Sequence, residues 1–277
     1  MTAFRQSKIA SILILCLILS FPSSTPADQL TAEQELRIWT PYIERDKQRL
    51  YIDTLYEYSP VRIAGRKTHW EQYSTRVMGT YQGHLPYFEY HLFERDREWD
   101  QALHLGSYFL FENWNLQPEI GFGIDTDFLY RFQTSAAVER RLVESLYFKI
   151  KERYLHYRAG DVLITSPGLS YYYGDHFLTA DYNVSLTEGR GNAHYATVQT
   201  HLLFFKRLHL YSGIALGERL FDVDALDASK QMGFILSAGA DFRVSKNVKV
   251  GFDYSFGEEE NPKFRKRGFG GRISVRF

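Results

Sequence analysis

The sequence predicts an all-β protein, a single antiparallel transmembrane β-barrel of about fourteen strands behind an N-terminal signal peptide. Three observations lead there. The chain opens with an export sequence. Beyond it, no apolar run approaches the length a membrane-crossing helix needs. From Arg49 onward, stretches of roughly ten residues alternate between apolar and polar positions, as the strands of a membrane barrel do.

Residues 1–27 read as the signal. Arg5 and Lys8 form its basic start, 9–21 is an uncharged apolar run too short to span a bilayer, and "PSSTPA" supplies small residues for a cut after Ala27. Cys16, the one cysteine, lies inside that run and would leave with it. The mature chain would then hold no thiol, which suits an oxidising compartment without disulfides. Residues 28–48 form a short periplasmic leader, in which "TAEQELRIW" reads as a brief helix capped by Thr31 with Gln34 three residues on. The barrel occupies 49–277 as one domain.

Four strands are clean. In "LTADYNVSLT", Leu178, Ala180, Tyr182, Val184 and Leu186 share one face. "MGFILSAGADFRV" sets Met232, Phe234, Leu236, Ala238, Ala240, Phe242 and Val244 on one side, and "VKVGFDYSF" does so with Val248, Val250, Phe252, Tyr254 and Phe256. The last strand presents Phe269, Gly271, Ile273, Val275 and Phe277 against Gly270, Arg272, Ser274 and Arg276. None of the positions on these apolar faces is charged, although charged residues make up 24% of the chain. A hydrocarbon-facing wall requires that, because a lysine or arginine at mid-bilayer costs roughly 2–4 kcal/mol.

Alternation alone also fits a soluble periplasmic barrel that buries its apolar face around a ligand. Loop lengths, glycines on the polar face and tyrosines at strand ends (Tyr171, Tyr172, Tyr173) favour the inverted, membrane arrangement. "SKN" and "FKR" read as tight turns, whereas "SPVRIAGRKTH", "FDVDALDAS" and "GEEENPKFRKR" read as longer polar loops on the outer side.

Taken in order, the strands are expected near 49–59, 70–82, 85–95, 101–112, 115–124, 134–145, 147–158, 161–173, 177–187, 193–205, 208–220, 231–244, 247–257 and 268–277, each bounded by turn residues. The count is even, as single-chain bacterial barrels require. The weakest stretch is 134–158, where Arg140 and Glu152 break the apolar face; without that hairpin the count falls to twelve, the alternative. Pro167 predicts a bulge or an edge distortion. At the end of the chain, Phe269, Ile273, Val275 and Phe277 resemble the signal by which barrel-insertion machinery recognises outer-membrane proteins.

Charge narrows the function. With 33 basic and 33 acidic side chains the chain is formally neutral, which argues against nucleic acid as a partner. There is no His-Glu-x-x-His pair, no paired-cysteine motif and no Gly-x-Ser-x-Gly elbow, so no metal, cofactor or catalytic residue is predicted. His194 and His201 are seven apart and fall on opposite faces of a strand, while His104, His201 and His209 are candidate lumen histidines. Function is expected in the lumen, whose inward candidates are Glu119, Asp181, Arg219, Asp241, Arg243, Lys249, Asp253, Arg272 and Arg276. Acids and bases are mixed, so such groups either line a channel or pair and close it. The basic run 263–267, "KFRKR", is expected in an outer loop within reach of lipopolysaccharide phosphates.

These readings predict a non-enzymatic barrel of the cell outer membrane, surrounded by outer-membrane lipid and lipopolysaccharide, that passes or anchors a polar solute or surface polysaccharide. A lipid-modifying outer-membrane enzyme and a soluble ligand-binding barrel are the alternatives. From Trp70 to the end the chain resembles the YaiO family of outer-membrane barrels. The likeness is carried by Arg131 and Phe132 after the fifth loop, "ERYLHY" running into "GLSYYYGDH", "ALGER" at Ala215–Arg219 and the terminal "GGRISVRF". It implies an outer-membrane protein of the cell envelope whose role is poorly defined, in a family sometimes associated with surface polysaccharide genes, and it offers no catalytic residues to carry over.

Overall fold

Fourteen strands close into one antiparallel barrel, each paired with its neighbour in sequence and β1 paired with β14. The computed structural model describes residues 50–81, 84–111, 113–174, 176–189, 191–205, 207–218, 232–259 and 264–277. The expected signal, the leader and Arg219 lie outside them. In chain order the strands are β1 (Leu50–Ile63), β2 (Arg66–Gly79), β3 (His84–Arg95), β4 (Glu98–Leu110), β5 (Trp114–Ile124), β6 (Phe132–Val143) and β7 (Leu146–Tyr157). They continue as β8 (Gly160–Tyr173), β9 (His176–Thr187), β10 (Gly191–Phe204), β11 (Leu208–Glu218), β12 (Met232–Arg243), β13 (Val248–Glu259) and β14 (Phe264–Arg276).

Closure fixes which face is which. Along β12 and β13, Leu236, Phe242 and Phe252 are exposed apolar side chains, while Asp241 and Lys249 between them are buried. On β14 and directly after it, Phe269, Ile273 and Phe277 are exposed in the same way. Apolar residues therefore face out and charged ones in, the reverse of a soluble barrel and the arrangement hydrocarbon demands. Among the described residues no helix is long and apolar enough to cross a membrane. The strands do the spanning, because ladder pairing with the next strand is what satisfies backbone groups in hydrocarbon.

Both ends of the barrel wall lie together, since Phe277 donates its backbone N–H to the Leu50 carbonyl at 2.9 Å. Connections on that side are short, among them 144–145 and 205–207. Among the described residues the long connection 125–131 leaves the opposite rim, where β11 also ends and β12 begins.

Several expectations need correction. "SPVRIAGRKTH" is not a loop: β1 runs to Ile63, β2 begins at Arg66, and only Ala64 and Gly65 turn, both with positive φ (47° and 87°). That is the backbone signature of a two-residue hairpin whose twist matches its strands. Asp96 and Arg97 turn likewise between β3 and β4. "GEEENPKFRKR" is mostly strand, because β13 reaches Glu259 and β14 starts at Phe264, so Arg265, Lys266 and Arg267 are strand residues rather than a loop. "FDVDALDAS" falls outside the described residues.

Pro167 makes no bulge. It does interrupt the β8–β9 ladder, which breaks off at Thr165↔Val184 and resumes in the same register at Gly168↔Asp181, while the register shift occurs instead in β6–β7 between Arg141 and Val143. Tyr171 and Tyr173 are exposed at a strand end as expected, but Tyr172 points inward and packs on Tyr147 and Phe177. The hairpin 134–158 is present; Arg140 and Glu152 stand on its outer face, opposite Phe148 and Ala136.

Depth along the outer wall should set the cost of a charge. Val250→Arg is expected to destabilise the barrel by roughly 2–4 kcal/mol and Tyr58→Arg, nearer the rim, by about 0–1. Urea unfolding in phospholipid vesicles measures both, and equal losses would contradict this placement of the membrane.

Candidate functional site in the lumen

Antiparallel pairing lines up residues of the same face, so the inner wall can be read across strands. One row runs His209–Asp241–Gly251–Arg272 over β11 to β14. Gly251 is required there: a Cβ would overlap the Asp241 carboxylate, which lies across it. Asp241, 1% exposed, is the hub. Lys249 Nζ and His209 Nδ1 each lie 3.2 Å from its Oδ2, and an Arg272 nitrogen lies at 3.9 Å. Arg272 also reaches Asp253 at 3.6 Å, and Tyr211 donates its hydroxyl to Asp253. Tyr211 lies flat because Gly239 opposite it has no side chain.

The hub extends into β10 through His201, whose Nδ1 is 3.1 Å from His209 Nε2 and whose ring stacks on Phe177 at 4.1 Å. With neutral rings, His209 gives its Nδ1 proton to Asp241 and so accepts at Nε2 from His201. The result is a polarised chain of hydrogen bonds ending on a carboxylate. Such buried chains persist only when each member is satisfied.

A second cluster lines β2 to β6, centred on Glu119. His104 Nδ1 approaches its Oε1 at 3.1 Å, Gln133 donates to the same oxygen at 2.7 Å, and Tyr87 donates to Oε2 at 2.7 Å. Beside it Arg76 donates from two nitrogens to Glu89, at 2.9 and 2.6 Å, and His91 faces the other Glu89 oxygen at 3.2 Å. Between the clusters, Lys149 on β7 pairs with Asp181 on β9 at 3.0 Å. Carboxylates at this burial stay ionised only with such partners.

The mouth opposite the termini is narrowed by its own chain. Asp100, fully buried, accepts the backbone N–H groups of Asp127, Phe128 and Leu129 at 2.9, 2.8 and 2.6 Å. Tyr130 then hydrogen-bonds His104 and packs with Ala102, Leu155 and Val162. The Arg95 guanidinium covers both Phe128 and Trp70. Residues 125–131 are thereby folded inward over β4 to β8 rather than standing out into solvent.

Of the residues expected inside, Asp241, Lys249, Asp253 and Arg272 meet in one network, while Glu119 and Asp181 belong to separate ones. Arg243 and Arg276 share the inward register of Lys249 and Ser274 near the terminal rim. His104, His201 and His209 are buried hydrogen-bonding groups of these networks. The sequence reading missed Arg76, Glu89 and the β7 column Lys149, Lys151 and Arg153. The last was visible as a period-two run in "FKIKERY". It also missed Asp100, for which no motif exists. On the outer wall, His69, Glu71 and Glu94 bring possible metal-ligand atoms within 4.8 Å of one another.

No family model and no curated protein sequence matches the chain. Solved structures do. A bacterial polysaccharide outer membrane secretin aligns with a TM-score of 0.60 at 8% identity, over 84% of this chain and 99% of its own. A deletion mutant of the TodX monoaromatic hydrocarbon channel aligns at 0.56 and 6% identity, over 83% and 90%. Omp33 of Acinetobacter baumannii aligns at 0.50 and 8%, over 83% and 99%. At such identities the likeness is one of fold, and together with the apolar outer wall it makes this chain an outer-membrane β-barrel.

Proposed function

We propose that the barrel is a non-enzymatic conduit or anchor for a polar polymer or solute at the cell surface, with surface polysaccharide as the favoured cargo. The observation that carries this reading is the inner wall itself: ionised side chains held in fixed pairs, interleaved with tyrosine rings such as Tyr87, Tyr147 and Tyr211. A glycan offers hydroxyls to charged groups and flat C–H faces to rings, so such a wall suits it. Mixed signs suit a neutral or weakly charged cargo better than a small ion. The secretin's name describes what that protein exports, and its likeness in fold is consistent with the proposal. The buried histidines bond to carboxylates, to tyrosine and to one another, a structural use rather than a nucleophilic one.

The YaiO family, suggested by the motifs in Trp70–Phe277, belongs to this same proposal. Its expected neighbours are outer-membrane lipid, lipopolysaccharide and the insertion machinery that would read Phe269, Ile273, Val275 and Phe277, without nucleic acid, metal or cofactor.

Single-channel recording in planar bilayers tests the conduit. A native barrel with no conducting level, together with Asp100→Ala also silent, would defeat transport. Asp100→Ala releases three backbone donors and is expected to raise conductance or the frequency of opening. Asp241→Asn removes the charge that Lys249 and Arg272 share, so the reversal potential in a salt gradient should move toward anion preference. Esterase or deacylase turnover abolished by His209→Ala would defeat the non-enzymatic reading.

A further inference from the structure

Along the seam β13–β14–β1–β2 the outer face can be read row by row through the register. Near the terminal rim the row Val77, Ile52, Val275 and Val248 is wholly apolar, and the next is Thr75, Thr54, Ile273 and Val250. Two aromatic rows lie further out: Tyr73, Tyr56 and Phe252 with Gly271 between them, then Tyr58, Phe269 and Tyr254. The Tyr254 and Phe269 rings meet at 5.3 Å. This order, apolar and then half-wet rings, marks the boundary of the hydrocarbon.

Beyond the rings the same face turns basic. Lys67, Arg62 and Arg265 stand directly opposite one another on β2, β1 and β14, and Arg267 stands one outward position nearer the membrane. Lys67, Arg62 and Arg267 are exposed. Among the described residues one acid stands in this row: Glu258, opposite Arg265 on β13 and 3.0 Å from its guanidinium. Glu71 and Glu94 sit below it, beside His69, and Glu71 accepts from the Tyr56 hydroxyl at 2.9 Å. Like charges directly opposite across strands are destabilising by themselves, so three adjacent cations with one counter-charge call for anions from outside the chain. At this height, just above an aromatic belt and on the side away from the termini, the available anions are lipid headgroup phosphates.

We propose that this strip binds the phosphate groups of an outer-leaflet phosphorylated glycolipid, with Arg62, Lys67 and Arg265 as the principal contacts and Arg267 at its lower edge. Arginine suits the task because its planar fork pairs with two phosphate oxygens at once. The acyl chains of the same lipid would lie over Phe269, Tyr254 and Phe252 below. The strip is external, so it stands whatever the lumen carries.

The test uses the full refolded barrel in detergent and measures binding of diphosphorylated lipid A, its dephosphorylated form and phosphatidylglycerol by native mass spectrometry. Arg62→Gln, Lys67→Gln and Arg265→Gln are made singly and together. Lys246→Gln, an exposed lysine in the 244–247 turn at the other rim, is the control. Heat-modifiable gel mobility checks that each variant is folded, and the single variants carry the test if the triple one is not. Affinity for diphosphorylated lipid A should fall about fivefold for each cation removed. The control should match the native chain, and the dephosphorylated lipid should not distinguish the variants. Unchanged lipid A binding in the variants would overturn the proposal, as would phosphatidylglycerol binding as tightly as lipid A.

Discussion

Inside a bilayer, a peptide N–H or C=O without a partner costs several kcal/mol, and no water is there to take it. An open sheet would leave two such edges. The structure removes both by pairing β1 with β14 over almost their whole length, from Tyr51↔Arg276 to Ile63↔Phe264. Once the cylinder is shut, the two-residue period of a strand divides its side chains between oil and lumen with no third option. The sidedness of Phe252 and Asp253, neighbours in sequence and opposite in environment, follows from closure alone.

The inner wall then inherits a difficulty of its own. Charges that cannot face hydrocarbon are crowded onto the inner wall, where a buried, unpaired one is costly. The barrel answers with registered rows in which acid and base fall on adjacent strands, as at Asp241 with Lys249 and Arg272. Glycines make the rows possible. Without Gly251 the Asp241 carboxylate has nowhere to lie, and without Gly239 the Tyr211 ring cannot reach Asp253. Asp100 extends the same logic to the backbone, replacing the partners that residues 127–129 would lack when folded into the mouth.

Much of this was legible in the sequence because hydrocarbon enforces alternation so strictly. The strand number, the outward set on β9 and β12 to β14, and the inward placement of Asp241, Lys249 and Arg272 all follow from period two. Register does not, because it depends on where each turn falls. Lys149 could be assigned to the lumen, but not to Asp181 on a strand two away. The misreadings at 59–69 and 257–267 share one cause. Above the rings, strands leave the oil, both faces tolerate charge, and extended backbone there looks like loop. Residues 134–158 were obscured by the converse, since Arg140 and Glu152 stand on the outer face. Asp100 was out of reach because its partners are main-chain groups, which carry no residue signature.

The two-residue hairpins at Ala64–Gly65 and Asp96–Arg97 shape how the protein meets the world outside the cell. A phage receptor-binding tip or an antibody approaching from above finds little protruding chain on that part of the rim, only strand ends and their paired backbone. With 125–131 tucked into the mouth as well, a binder on that part of the rim must grip the same paired backbone that shuts the cylinder, so a change that loosened its hold would also disturb the wall.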